Sequence, residues 1–192
     1  MTSQIRSAGL LLLSIVFLLS GTACSGGNVY HDPMMDFSGI QSVAVMPLQN
    51  YSTDRYASDR VRDAFMTSLL ATGSLYVVPP GEVERGLSRA RVGNPFAPSS
   101  DDVKQLGAIL KVNAVITGTI REYGQLRSSS AESNVISLSM QMLETQTGKM
   151  VWSGSTTRGG IGVKERLFGG GGQPMNEITV EAVQDILEQL FR

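Results

Sequence analysis

Few side chains in this 192-residue sequence could do covalent chemistry, and those few stand apart. His31 is the only histidine, so neither a catalytic dyad nor a histidine metal site can be built around it. Its plainer reading is a solvated residue in a connecting segment. Asp101 with Asp102, and Glu82 with Glu84, are paired carboxylates, but both pairs fall where helices are expected to begin and complement the helix dipole. Asp54, Arg55 and Asp59 follow the carboxyl end of a strand, where open α/β sheets bind ligands. Solvent alone also demands a polar loop there. Glycines 169–172 precede a helix as a phosphate-binding loop would, yet Gln173 and Pro174 stand where that motif needs a lysine and a hydroxyl. No catalytic residue, cofactor or metal is implied, and the chain is not expected to be an enzyme.

The remaining reactive group is Cys24, the only cysteine. Arg6 precedes an apolar stretch over residues 8–19, broken only by Ser14, too short to span a bilayer but suited to the centre of a secretory signal. The stretch ends in Ser20, Gly21, Thr22 and Ala23, small residues running into the cysteine. This resembles a bacterial lipoprotein signal, with Gly21 where an aliphatic residue is usual. The resemblance implies lipid attachment at Cys24, and Ser25 after it fits outer-membrane sorting. An ordinary signal cut near Ala23, leaving Cys24 as a free thiol, is the alternative. A lone cysteine cannot staple a fold in an oxidising compartment, but it can carry lipid.

Composition narrows the rest. Lys and Arg number 16 against 17 Asp and Glu, a net charge of −1, with no basic cluster of the kind that binds nucleic acid. Residues 1–23 read as the signal, 24–37 as the lipidated cysteine and a tether, and 38–192 as one periplasmic domain. Twelve or so tether residues would reach at most about 40 Å, so the domain stays near its membrane.

Within that domain the patterning predicts a mixed α/β fold. Residues 42–46, closed by Pro47, read as a buried strand. Ser58 or Asp59 should cap a helix with Val61, Ala64, Phe65, Ser68 and Leu69 on its apolar face, ended by Gly73. Residues 75–78 read as a second strand, and Pro80 opens a helix through about Ala90. Ser100 should cap a third helix, and Phe96 in its proline loop should cover an edge of the core. Residues 112–123 and 135–144 read as long strands. In the second, Ile136, Leu138, Met140 and Met142 share one face while Ser137, Ser139, Gln141 and Leu143 share the other. A hairpin turn at 145–149 returns the chain along 150–156, with Trp152 packed in the core or on a sheet face. A closing helix from Pro174 carries Ile178, Ala182, Val183, Ile186, Leu187, Leu190 and Phe191 as one apolar stripe. Early βαβ units, a late β-hairpin and helices packed on a mixed sheet are the expected architecture.

Four segments resemble periplasmic lipoproteins related to the curli assembly protein and to the activators of penicillin-binding proteins. They are Val43 to Pro47 with Asn50 and Ser52; Leu69 to Gly73 with Tyr76 to Val78; Leu106-Gly107 with Val112 to Gly118; and Thr147 to Ser153. That family often has Asp where Asn113 stands. The resemblance implies an outer-membrane lipoprotein acting by protein contacts in envelope assembly or secretion. Regulation of a cell-wall synthase, or a part in a curli-type secretion pore, are the alternatives. The hairpin around residues 123–134 is too polar to enter a bilayer, which weighs against the pore. The membrane, through Cys24, and an unidentified envelope protein are the expected partners, and self-association is open. Tyr51, Arg55, Tyr56 and Arg166 stand in irregular segments and are expected to bind the protein partner. Val163, Leu167 and Phe168 beside Lys164 and Arg166 could touch membrane or partner, or pack on the domain itself.

Overall fold

A computed structural model describes residues 29–127, 132–160 and 172–192. The sheet strands are β1 (Tyr30–His31), β2 (Ser42–Val45), β3 (Gln49–Asn50), β4 (Tyr76–Val77), β5 (Ala114–Arg127), β6 (Glu132–Glu144) and β7 (Met150–Gly159). Among the described residues there are four α-helices: α1 (Ala57–Ala71), α2 (Pro80–Ala90), α3 (Ser100–Leu110) and α4 (Met175–Leu190). The sheet order is β1-β7-β6-β5-β2-β4, with β3 pairing to β5 beyond the end of β2. Strands β2, β3, β4 and β5 are mutually parallel where they pair, and β5, β6, β7 and β1 antiparallel. The expected mixed sheet, with βαβ connections first and hairpins last, is what the chain forms.

Alternation along each strand divides the core into two layers. Val43 and Val45 of β2, Ile116 and Ile120 of β5, and Ile136, Leu138, Met140 and Met142 of β6 point to one face. There α1 supplies Val61, Phe65 and Leu69, and α4 supplies Ile178, Ala182, Val183, Ile186, Leu187 and Leu190. Trp152 is fully buried in this layer, its indole N–H donating to the Gln189 carbonyl at 3.1 Å. The second face holds Ala44, Met46, Val78 and Val115 beneath Val83 and Ala90 of α2 and Val103 and Leu106 of α3. This second layer stops partway up β5, for reasons that bear on function.

Two glycines in the family-like segment 106–118 are required by close approach. A Cβ on Gly107 would stand 2.4 Å from the Thr145 Cβ, and one on Gly118 would stand 2.3 Å from the Met140 sulfur and 3.1 Å from Leu48. Asn113, between them, ties the start of β2 to β5. Its Oδ1 accepts from the Ser42 hydroxyl at 2.9 Å and from the backbone N–H groups of Gln41 and Ser42 at 3.1 Å. The position needs only an oxygen acceptor, which an aspartate would supply equally well.

Several local expectations are corrected. Helix α1 begins at Ala57, before either residue expected to cap it; the Ser58 hydroxyl instead donates to the Leu48 carbonyl at 2.8 Å. The cap of α3 is Ser99 rather than Ser100, because Ser99 and Asp102 form a reciprocal capping box. Phe191 lies past the end of α4 and is 46% exposed, since the helix stripe has already turned away from it. Phe96 is exposed and overhangs a polar concavity instead of sealing an apolar edge. Strand β5 continues to Arg127, and a bulge between Ile120 and Glu122 breaks its alternation at Arg121. Tyr30 and His31, read as tether, form an edge strand against Trp152 and Ser153 of β7. His31 is half-buried, its ring edge-on to Phe37 with centroids 5.6 Å apart. No helix among the described residues is long and apolar enough to cross a membrane.

Candidate protein-interaction site

The segment from Asn50 to Tyr56 is built at the carboxyl end of the parallel strands. After Pro47 interrupts β2, the chain rejoins the sheet as β3, paired to Thr119 and Ile120. The Tyr51 N–H then donates to the Ile120 carbonyl at 2.9 Å, anchoring the loop's first residue to the sheet. Asn50 organises the turn from inside: Oδ1 accepts from the Ser52 N–H at 2.9 Å and hydroxyl at 2.7 Å, while Nδ2 donates to the Asp54 carbonyl at 2.8 Å. Such side-chain-to-backbone bonds let a short polar residue replace the ladder of a strand or helix.

Asp54 closes the loop onto α1. One carboxylate oxygen accepts from the Tyr56 N–H at 2.8 Å, and the other pairs with Arg60 at 2.9 Å. The Arg55 guanidinium lies 4.5 Å from the Tyr56 ring centroid and that of Arg60 5.9 Å from it. A cation over an aromatic face is held by the ring quadrupole. Internally hydrogen-bonded as it is, the loop leaves its large side chains in water. Tyr51 is 71% exposed, Tyr56 is 48% exposed, and Arg55 is exposed. The structure thus brings Arg55 and Tyr56 into contact and puts Tyr51 on the same loop. Arg166 lies outside the described residues, as do Cys24, the amphipathic stretch around it and glycines 169–171.

Two polar features were not singled out from sequence. Arg62 faces inward from α1, its Nε and a terminal nitrogen donating to the Val45 carbonyl at 3.2 and 2.7 Å. Burial pulls this guanidinium below its ordinary pKa, opposed by Glu84, Asp63 and Asp59. It serves the Val45 carbonyl, which lies beyond the last residues of β2 that β4 pairs. The second is Asp185 on α4, which accepts from the Thr156 hydroxyl at 2.7 Å and pairs with the Arg158 guanidinium on β7. Burial raises its pKa, but the bonds from Arg158 and Thr156 outweigh it and hold the carboxylate below its ordinary value. Both are explained by packing. Among the described residues no group of three or more His, Cys, Asp or Glu side chains is placed to hold a metal.

The family model described as "Putative lipoprotein GNA1162-like" matches residues 35–189. The chain belongs to this family. Lipoprotein GNA1162 from Neisseria meningitidis is similar in structure, with a TM-score of 0.55 and 21% identity over 79% of this chain and 98% of that chain. The PelC dodecamer from Paraburkholderia phytofirmans superposes at a TM-score of 0.57 with 12% identity, over 86% of this chain and 98% of that chain. At these identities the likeness is one of fold. The LpoB C-terminal domain from Escherichia coli superposes more loosely, at 0.47 with 13% identity over 62% of this chain and 82% of that chain, too weakly to argue from. No curated protein matches the chain at a significant level. The lipoprotein part of the resemblance read from sequence therefore stands as family membership, and its curli-assembly branch is not supported.

Proposed function

We propose that the protein is anchored by lipid at Cys24 on the periplasmic face of the outer membrane and binds an envelope protein there, in assembly or secretion, without catalysing a reaction. The observation that carries this reading is the loop from Tyr51 to Tyr56, internally hydrogen-bonded yet presenting two tyrosines and an arginine to solvent. Pre-ordered Tyr and Arg side chains lose little freedom on binding, and they anchor interfaces more than most residues. Arg166 is proposed as a further contact. Membership of a lipoprotein family supports the anchor. Cys24→Ser tests it: fatty-acid labelling should be lost and the protein released from membranes, whereas a labelled variant or an unlabelled wild type would refute lipid attachment. Affinity capture of intact lipoprotein from solubilised envelopes should recover a discrete protein partner, and recovery of none would refute binding.

Self-association is a second reading, favoured by one observation. The similar PelC structure, which covers 86% of this chain, is described as a dodecamer. Mass measurement of the detergent-solubilised lipoprotein separates the two readings. Direct contact with an inner-membrane cell-wall synthase is disfavoured by reach, because docking of β1 leaves only four residues between Cys24 and Val29, five steps that span at most about 18 Å.

A further inference from the structure

A second surface lies where the N-terminal segment crosses beneath the sheet. An open cavity of about 380 Å³ sits between the turn at Phe37–Gly39 and the end of α4. None of its lining residues is charged; Phe37, Ile40, Leu75, Met142, Leu190 and Phe191 make most of its wall. The other concavities described are polar or charged, lined for instance by Arg85 and Arg89 or by Ser137 and Thr157. Phe191, in the cavity wall, is half exposed, and Met34, three positions before the wall residue Phe37 in the chain, is 91% exposed. Met34 is not a loose end. Its N–H donates to Asp32 Oδ1 at 2.9 Å, and the next residue, Met35, packs on the core, so the turn holds Met34 outward.

The cavity also lies close to the proposed anchor along the chain. His31 pairs with Trp152, which pairs with the cavity residue Met142, and the His31 ring touches Phe37 in the cavity wall. Val29 stands two positions before His31, and Cys24 five before that. Five positions span at most about 18 Å, which keeps Cys24 within that distance of Val29 and brings the bilayer close to the sheet edge formed by β1 and β7.

We propose that this end of the protein docks on that bilayer, with Met34 and Phe191 inserted among the lipids and the cavity taking an acyl chain of a membrane phospholipid. The inference rests on the anchoring reading above. Apolar side chains at a membrane surface gain by burial in the headgroup–acyl boundary, and a covalent anchor supplies the proximity. Asp32 binds the Met34 N–H and Asp36 immediately precedes the wall residue Phe37, so zwitterionic lipid should suit this segment better than anionic lipid.

Lipidated full-length protein, its lipid mass at Cys24 verified by mass spectrometry, would be reconstituted in phosphatidylethanolamine–phosphatidylcholine vesicles. Lipid blocks the only native thiol, so Met34→Cys, Phe191→Cys and Arg85→Cys each give one site for a fluorescent label. Nitroxide carried on the acyl chains should quench the labels at 34 and 191 several-fold more than the label at 85, on the far face. Equal quenching at all three positions overturns the proposal. Shielding of 34 and 191 from aqueous iodide without quenching by the lipid nitroxide would mean that a protein covers this end, and also overturns it. Absence of lipid at Cys24 would show in the mass, defeat the anchoring reading itself, and remove the basis of the docking.

Discussion

The two faces of the sheet differ in how completely helices cover them, and the difference separates what folds the protein from what it offers to others. On the first face α1 and α4 lie along β5, β6 and β7, and every inward residue of β6 from Ile136 to Met142 is buried. On the second, α2 and α3 cover β2 through Met46 but only the beginning of β5. Beyond them Thr119, Ser137, Ser139 and Ser155 are half-buried and Gln141 and Thr157 exposed. Phe96 overhangs Thr119, Ser139 and Gln141, and beyond it the Thr157 hydroxyl donates to that of Ser137 at 3.2 Å. A sheet face without helices must satisfy itself with water, so its side chains are hydroxyls and amides. The exposed loop from Tyr51 to Tyr56 follows β3, whose pairing with Thr119 and Ile120 lies just beyond the covered stretch.

The sharpest way to break this comparison is to truncate neighbours that face opposite ways. Leu138→Ala, or Ile116→Ala on β5, should cost about 2–5 kcal/mol, because each empties a fully buried site. Ser139→Ala, one residue from Leu138 but on the open face, should stay within about 0.5 kcal/mol. Equal losses in thermal melts would mean that the second face is as closely packed as the first. Gly118→Ala should cost about 1–3 kcal/mol by forcing Met140 and Leu48 aside, and an unchanged melting temperature would contradict the close approach.

A smaller effect tests how α4 is held to β7. Asp185→Asn should cost about 1–2 kcal/mol at neutral pH, because the charged acceptor of the Arg158 and Thr156 bonds is lost. The folded protein holds this carboxylate below its ordinary pKa near 3.8. Its contribution is therefore complete above that value and is lost as pH falls through the lower folded one. The gap between wild type and variant in urea titrations should be constant from neutral pH to about 5 and shrink in stronger acid. A gap that grew on acidification would reverse the assignment. The least effect is expected from Tyr51→Ala, Arg55→Ala and Tyr56→Ala, each within about 0.5 kcal/mol, since these side chains bury little on folding.

Much of this architecture was legible because it is written in short periods. The alternation in residues 135–144 and the stripe from Ile178 to Leu190 assign faces without reference to anything distant. The Ser100 cap was lost to a purely local capping box between Ser99 and Asp102, but other features depended on partners elsewhere in the chain. Ser58 looked like a cap, but the Leu48 carbonyl claims its hydroxyl. His31 looked like tether, but the edge of β7 was free to receive it. Arg62 sits in a helix pattern that says nothing of the Val45 carbonyl it serves. For the interaction site, sequence placed Tyr51, Arg55 and Tyr56 in one loop. It did not show that Asn50 and Asp54 would bind that loop together, because Asx bonds compete with several other local conformations.

The central claim is that the protein works by contact through this loop, and it is tested most directly by photo-crosslinking in intact cells. A photoreactive phenylalanine analogue would replace Tyr51 or Tyr56 in turn, with Ser137 on the open sheet face as the reference position. The account predicts a discrete crosslinked adduct to a second protein from position 51 or 56 and none from 137. Adducts from 137 alone, with 51 and 56 silent, would contradict it.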